Sequence, residues 1–423
     1  MSVWVRWLGN RLRACRRLRR ALVLGVTVTI FITVLYPQAN TDSSDARGTR
    51  PLKRSNHDHQ LSPAYRFVER QEQLREACRQ IKHRPGLQPF LNYTEHMIVN
   101  IKNNISFCEI PKVGSMFWRS VLSVLAGKTD SFHSAFDNKW LTYLSTLTNR
   151  DMPQYAGTNK IVFVRNPYSR LLSAYIDKLF APNPFYWNLV GKDIVKAVRP
   201  NPTVGSLRCG HDVTFPELVQ YLIIMDSKGV KYDSHFVPVS KHCLFCDTHY
   251  DFVGHVETFM EDVAHIVNAV PQLKKQVNLS GVESGTDLQQ LERNSHNVFG
   301  MRKDRILNCM TFHEALVRLW RRWQMRGILH KSETFPLNKQ QSSSVTFEDF
   351  HEMAVAAWTR SGSGSWKSTN RKEALKEAIG NLEPDDLEKL KDMFENDFLL
   401  FGYARDIEFY GENGADYKYF KLD

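Results

Sequence analysis

The spacing of hydrophobic and polar positions changes several times along the 423-residue chain. Ala21–Tyr36 (ALVLGVTVTIFITVLY) is sixteen residues without a charge, closed by Pro37. From there to about residue 63 the chain is polar and shows no period, as a solvated stem would. Between Ser62 and Lys82, apolar residues return at three- and four-residue spacing (Tyr65, Val68, Leu74, Cys78) and predict a helix. Two strand–turn–helix units follow. Ile105–Ile110 alternates like a strand, breaks at Pro111-Lys112-Val113-Gly114-Ser115, and runs into the helical pattern of Met116–Leu125. Lys160–Val164 is a short continuous apolar run of the buried-strand type, broken by Arg165-Asn166-Pro167 and followed by a helix over Tyr168–Phe180. Helices are also predicted over Phe215–Met225, Glu257–Val270 and, closing the chain, Leu387–Phe401. Residues 281–380 carry a weaker pattern: a helix over Ala315–Met325, a polar patch at Asn338–Ser344 and a Ser361-Gly-Ser-Gly-Ser365 linker. That stretch reads as an insertion or subdomain. Strand–helix alternation predicts an α/β class fold, with a central parallel sheet flanked by helices on both faces. No internal repeat is present.

Charge changes the picture at the N-terminus. The chain carries a formal +11, but seven arginines and no acid lie in residues 1–40, which leaves 49 basic and 45 acidic residues elsewhere. A surplus of only +4 argues against a nucleic-acid-binding protein and remains compatible with an anionic co-substrate. Arginines placed directly before Ala21–Tyr36 stay cytosolic under the positive-inside rule. The expected organisation is a cytoplasmic tail (1–20), a transmembrane signal anchor (21–36), a luminal stem (37–63) and a folded domain (64–423). Sixteen helical residues span about 24 Å, short for an average bilayer but suited to a thin early-secretory one. The alternative is a cleaved signal peptide, which delivers the body to the same pathway.

Two features agree with that route. N-x-S/T sequons stand at Asn92, Asn104 and Asn278. Six of the seven cysteines (Cys78, Cys108, Cys209, Cys243, Cys246, Cys309) fall on the luminal side, an even number whose pairing the sequence leaves open. His242, Cys243, Cys246 and His249 also match a zinc-ligand pattern, but an oxidising lumen and the lack of a second C-x-x-C favour disulfides.

The first unit has the form of a P-loop-like phosphate cradle. A strand ends, a small-residue turn exposes backbone N–H groups, and a helix N-terminus points its positive end at the same place, with Lys112 at the start of the turn. The nucleotide-kinase pattern fails: Gly127-Lys128-Thr129 closes a helix, and Leu122 stands where its first glycine would be. In the second unit Arg165 lies at a strand end and Ser173 eight residues on, placed so that guanidinium and hydroxyl converge on one phosphate, with Arg170 in reach to add to them.

Together PKVGSMFW and RNPYSRLLSAYIDK resemble the two co-substrate signatures of the Golgi carbohydrate sulfotransferases, in particular the chondroitin/dermatan 4-O and glucuronyl 3-O group. The likeness continues through Asp233-Ser-His235-Phe, Cys243-Leu-Phe-Cys246, His249 to Glu257 and Asp397 to Tyr403, and is poor between about residues 280 and 390. It implies sulfate transfer from 3′-phosphoadenylyl sulfate to a glycan hydroxyl and a single-pass type II Golgi membrane protein. It further implies that Lys112, Val113, Gly114, Ser115, Met116 and Phe117 face the 5′-phosphosulfate, and that Arg165 and Ser173 hold the 3′-phosphate. The family's Cys-Thr-Asn run is replaced by Ser115-Met116-Phe117, which removes a phosphate-binding hydroxyl and an amide. This substitution motivates the alternative of a catalytically inactive luminal glycan-binding protein on the same fold.

Sulfuryl transfer is an in-line displacement governed by positioning and charge stabilisation. Lys112 is expected to neutralise the departing phosphate, a base must take the acceptor's proton, and no metal is required because the leaving group is already good. Two histidines are candidates for the base: His133, between the two signatures, and His235, with Asp233 placed to orient it. The basic–aromatic cluster Arg318/Trp320/Arg321/Arg322/Trp323 reads as a helix with one basic and one core face, with a grip on an anionic glycan as the alternative.

Overall fold

The computed structural model describes residues 61–82, 97–128, 155–280, 282–407 and 418–422. The proposed anchor (21–36), nearly all of the stem, Asn92 and His133 lie outside the described residues. Among those that are described, no helix is long and apolar enough to cross a membrane.

Chain order places helix α1 (Pro63–Ile81) first, then strands β1 (Met97–Asn100) and β2 (Ile105–Cys108), α2 (Ser115–Leu125), β3 (Asn159–Val164), α3 (Pro167–Tyr175), α4 (Phe215–Ser227), β4 (Phe252–His255) and α5 (Phe259–Ala269). After them come α6 (Val282–Phe299), α7 (Phe312–Met325), α8 (Phe347–Ser361), α9 (Trp366–Gly380), α10 (Pro384–Met393) and α11 (Glu395–Phe401), together with several shorter turns. The four strands form one sheet in the order β1-β2-β3-β4. β2, β3 and β4 run parallel, whereas β1 is antiparallel to β2, pairing Met97 with Cys108. The sheet is therefore mixed and not wholly parallel. The short link Ile101–Asn104, ending in left-handed Asn104, reverses the chain between β1 and β2, which a parallel pair's crossover could not do in so few residues.

Local chemistry explains most element boundaries. Ser62 caps α1 by accepting from the Tyr65 N–H, and Pro63 occupies its first position. Full capping boxes open α4 (Thr214 with Glu217) and α7 (Thr311 with Glu314). Ile161–Val164 is wholly buried, as a central strand covered on both faces must be. Gly254 in β4 leaves room for the Phe163 ring, which a Cβ there would strike. The predicted closing helix is two helices, α10 and α11, divided at Phe394, whose ring is buried.

One core surrounds the sheet and includes α2, α5 and the inner face of α1. A second joins α3 and α4 to α9 and α10, and a third is built from α6, α7 and α8. Helix α1 is fastened by a buried charge network. Asp262 of α5 takes hydrogen bonds from Arg66 (3.3 Å) and Arg70 (2.6 Å), from the Thr258 hydroxyl and from the His255 N–H. The six expected cysteines pair as Cys78–Cys246, Cys108–Cys243 and Cys209–Cys309. The zinc alternative is thereby excluded for Cys243 and Cys246.

Candidate active site

Both signature turns emerge from the C-terminal ends of adjacent parallel strands, since Cys108 of β2 lies beside Val162 of β3. In sheets of this kind, that edge is where ligands bind. The first turn winds through left-handed Lys112 (φ 71°) and Gly114 (φ 89°) into α2. A Cβ at Gly114 would strike the Phe259 ring, so glycine is required both for the conformation and for the space. The backbone N–H groups of residues 113–116 have no hydrogen-bond acceptor among the described residues, whereas the Phe117 N–H returns to the Gly114 carbonyl (3.1 Å). Four backbone donors without a partner therefore stand at or just before the positive end of an eleven-residue helix. Phe117 does not: its ring is in the core, edge-on to Phe259 and Trp118.

The second turn is pinned by Glu257, which accepts from the Asn166 N–H (2.9 Å) and from the Tyr403 hydroxyl (2.9 Å). Asn166 caps α3 through its side chain. The Arg165 guanidinium makes no hydrogen bond or ion pair among the described residues, and neither does the Ser173 hydroxyl, which is largely buried. Burial, opposed by Glu257, lowers the Arg165 pKa to about 10. An unpaired guanidinium of this kind favours an incoming anion.

Arg170, expected to join them, has another task. It is 1% exposed and donates to the carbonyls of Pro111 (2.9 Å), Val237 (2.7 Å) and Ser234 (3.3 Å), with its fourth contact to His242 Nε2 (3.3 Å). Arg170 thus ties the two turns together, with four of its five N–H donors already committed.

The centre of the site is Asp177, to which the sequence reading gave no role. It lies in the π-helical turn Ile176–Phe180, a widened turn that continues α3 and is common at functional sites. Its carboxylate takes Lys112 Nζ at 3.0 Å on one oxygen and Arg322 at 2.6 Å on the other, with Lys178 Nζ at 3.7 Å. Burial pushes this carboxyl up, but Lys112, Arg322, Lys178 and Arg326 outweigh it and hold the pKa well below the usual carboxylate range. Burial lowers the Lys112 pKa to about 7, against the support of Asp177. Arg326, just beyond α7, lowers the pKa of both Lys112 and Arg165 by its charge and makes no ion pair among the described residues.

His235 lies beside this cluster. Its Nδ1 is 2.8 Å from Asp233 Oδ1 and 3.2 Å from the Tyr186 hydroxyl, and Lys178 sits over the Tyr186 ring at 4.2 Å. The tautomer that donates Nδ1–H to Asp233 leaves Nε2 free to accept a proton. Burial lowers the His235 pKa, the Asp233 hydrogen bond opposes this, and Lys178 and Lys112 lower it further, so the ring is neutral at neutral pH.

The basic–aromatic cluster of α7 divides as a two-faced helix. Trp320 and Trp323 are buried in the third core, Arg318 donates to the His211 carbonyl (2.7 Å), and Arg322 alone reaches the site. Asn104 and Asn278 are exposed. No group of three or more His, Cys, Asp or Glu suited to a metal ion occurs among the described residues.

Residues 95–297 match the family model described as "Sulfotransferase family". Human carbohydrate sulfotransferase 8 is 32% identical over 272 residues, 62% of each chain. Human carbohydrate sulfotransferase 9 is 37% identical over 205 residues (47% of this chain, 46% of the relative), and human carbohydrate sulfotransferase 14 is 34% identical over 180 (41% and 46%). The matched stretch thus spans less than two thirds of each of these relatives, and no solved structure matches. With the two signature turns joined at one sheet edge, residues 95–297 of the chain match the sulfotransferase family model, and the relatives they are similar to are carbohydrate sulfotransferases.

Proposed function

We propose that this protein transfers the sulfuryl group of 3′-phosphoadenylyl sulfate to a hydroxyl of a glycan, in the Golgi lumen, from a type II anchor at residues 21–36. The observation that carries this reading is a set of unpartnered donors at one sheet edge: the N–H groups of 113–116 on one turn, and Arg165 and Ser173 on the next. These fit a nucleotide with phosphates at both ends of its ribose, because an anion satisfies donors that are otherwise desolvated without a partner.

When bound, that nucleotide supplies an activated sulfuryl group whose leaving group is the 5′-phosphate. The chain's own residues supply the rest. The 113–116 amides and Lys112 hold the 5′ end and place positive charge where the departing oxygen becomes negative. Arg165 and Ser173 hold the 3′-phosphate, and Arg326 adds positive charge. His235 Nε2 takes the acceptor hydroxyl's proton, while Asp233 fixes the ring and stabilises the imidazolium that forms. Asp177 positions Lys112. Loss of side-chain donors at Met116 and Phe117 is tolerated on this reading because the cradle is made of backbone.

Calorimetry with 3′-phosphoadenosine 5′-phosphate tests it. Micromolar or tighter binding, weakened about 100-fold or more by Arg165→Ala, is expected for the loss of a charged, partly desolvated contact. Absence of binding to the wild-type protein would refute the enzyme and favour an inactive glycan-binding relative.

A further inference from the structure

Lys112 is held in place by side chains that belong to neither signature turn. Its Nζ meets one oxygen of Asp177 at 3.0 Å, and the other oxygen of that carboxylate takes Arg322 Nη2 at 2.6 Å. Arg322 is 8% exposed and comes from α7, which lies beyond residues 95–297, the stretch that matches the family model. Four residues earlier, and so on the same face of the helix, Arg318 donates to the carbonyls of Phe180 (3.5 Å) and His211 (2.7 Å). Helix α7 therefore grips the π-helical turn Ile176–Phe180 at two points, Asp177 near its start and Phe180 at its end. The helix is itself fixed. Thr311 and Glu314 cap it, and Cys309 just before it is bonded to Cys209. Trp320 and Trp323 lie in the third core, with indole hydrogen bonds to the Glu333 carbonyl (2.8 Å) and the Asn294 side chain (3.2 Å).

We infer that Arg322 is a positioning residue for the nucleotide's 5′-phosphate: by fixing one oxygen of Asp177 it aims the other at Lys112, and so sets where the ammonium stands. A carboxylate held on one side only turns freely about its last torsion, whose energy wells are broad. It also has a second amine to choose, since Lys178 Nζ lies 3.7 Å from the oxygen that holds Lys112. A guanidinium on the far oxygen removes that freedom, because its planar donors are already arranged for a carboxylate and lose little entropy on pairing. Arg322 itself does not contact the nucleotide. This inference rests on the sulfotransferase reading above and adds to it a contribution from a helix outside the matched stretch.

The test compares two nucleotides that differ at one end: 3′-phosphoadenosine 5′-phosphate and adenosine 3′-phosphate, which lacks the 5′ group. Both are titrated into the full chain by calorimetry near neutral pH. Arg322→Met is expected to weaken binding of the bisphosphate by about tenfold or more, as for a misplaced charged contact, and of the monophosphate by no more than about twofold. Arg322→Lys keeps the charge and one donor and should recover part of the loss. In an Asp177→Asn background, Arg322→Met should change the ratio of the two affinities by no more than about twofold, because the carboxylate it acts through is gone. Should Arg322→Met fail to fold, Arg322→Lys carries the same comparison with a smaller selective loss. Equal weakening of both nucleotides would make the residue merely structural and overturn the inference, as would an unchanged affinity for the bisphosphate, while the nucleotide site stands. A wild-type protein that binds neither nucleotide would overturn the sulfotransferase reading with it.

Discussion

Raising the pH should weaken nucleotide binding through one group, Lys112. Its ammonium is held at the mouth of the first turn by Asp177 (3.0 Å), and burial outweighs that support, bringing the pKa down to about 7. The sign follows directly. Above that pKa the free protein carries neutral Lys112, whereas a bound 5′-phosphate restores the proton, so binding takes up a proton and becomes weaker as pH rises. Each pH unit above the free pKa costs about tenfold in affinity, or about 1.4 kcal/mol, so at pH 8.5 the loss is about 30-fold, near 2 kcal/mol. Lys178, the other amine beside Asp177, is also lowered by burial, and a Lys178→Met variant separates its contribution from that of Lys112. His235 has a pKa below the ordinary imidazole value, and phosphate monoesters finish ionising near pH 6 to 7. Calorimetry with 3′-phosphoadenosine 5′-phosphate between pH 7.5 and 9, in buffers of different ionisation enthalpy, measures both slope and proton count. Uptake close to one proton is expected at pH 8 or above. Lys112→Arg should flatten the slope because guanidinium stays charged throughout. Asp177→Asn removes the carboxylate that supports the ammonium and should move the onset to lower pH. An affinity that is flat in the wild-type protein, without proton uptake, would refute the assignment of Lys112 to the 5′ end.

His235→Ala should lower kcat by about 10²- to 10⁴-fold with nucleotide affinity nearly unchanged, read by single-turnover sulfate transfer. Gly114→Ala forces a side chain into a left-handed position and against the Phe259 ring, and should cost about 1–3 kcal/mol of stability in thermal melts together with nucleotide binding. Asp262→Ala takes the buried counter-charge from Arg70, and leaves Arg66 with the more exposed Glu261. A loss of about 3–5 kcal/mol in urea unfolding is expected, and a loss below about 1 kcal/mol would contradict the role given to that network.

What the sequence determined by itself was local. The run Lys160–Val164 is apolar at every position after its first, so it had to be an interior strand, and Pro111 to Ser115 had to break the strand before it. Both follow from side-chain period and backbone preference, which act over a few residues. That Lys112 and Arg165 stand in strand-end turns, with Ser173 in the helix beyond, was legible for the same reason, because each turn is set by a few residues. Tertiary structure decided the rest. It turned Arg170 inward to three carbonyls, divided the last helix at Phe394, and chose among the pairings open to six cysteines. Above all, it brought Arg322 to Asp177 across 145 residues of sequence, from a region whose own pattern showed only a basic and aromatic helix. No periodicity encodes such a contact. It exists because the third core fixes the α7 backbone and leaves Arg322 facing the site. A buried carboxylate among cations is stable only when those cations converge on it from distant parts of the chain.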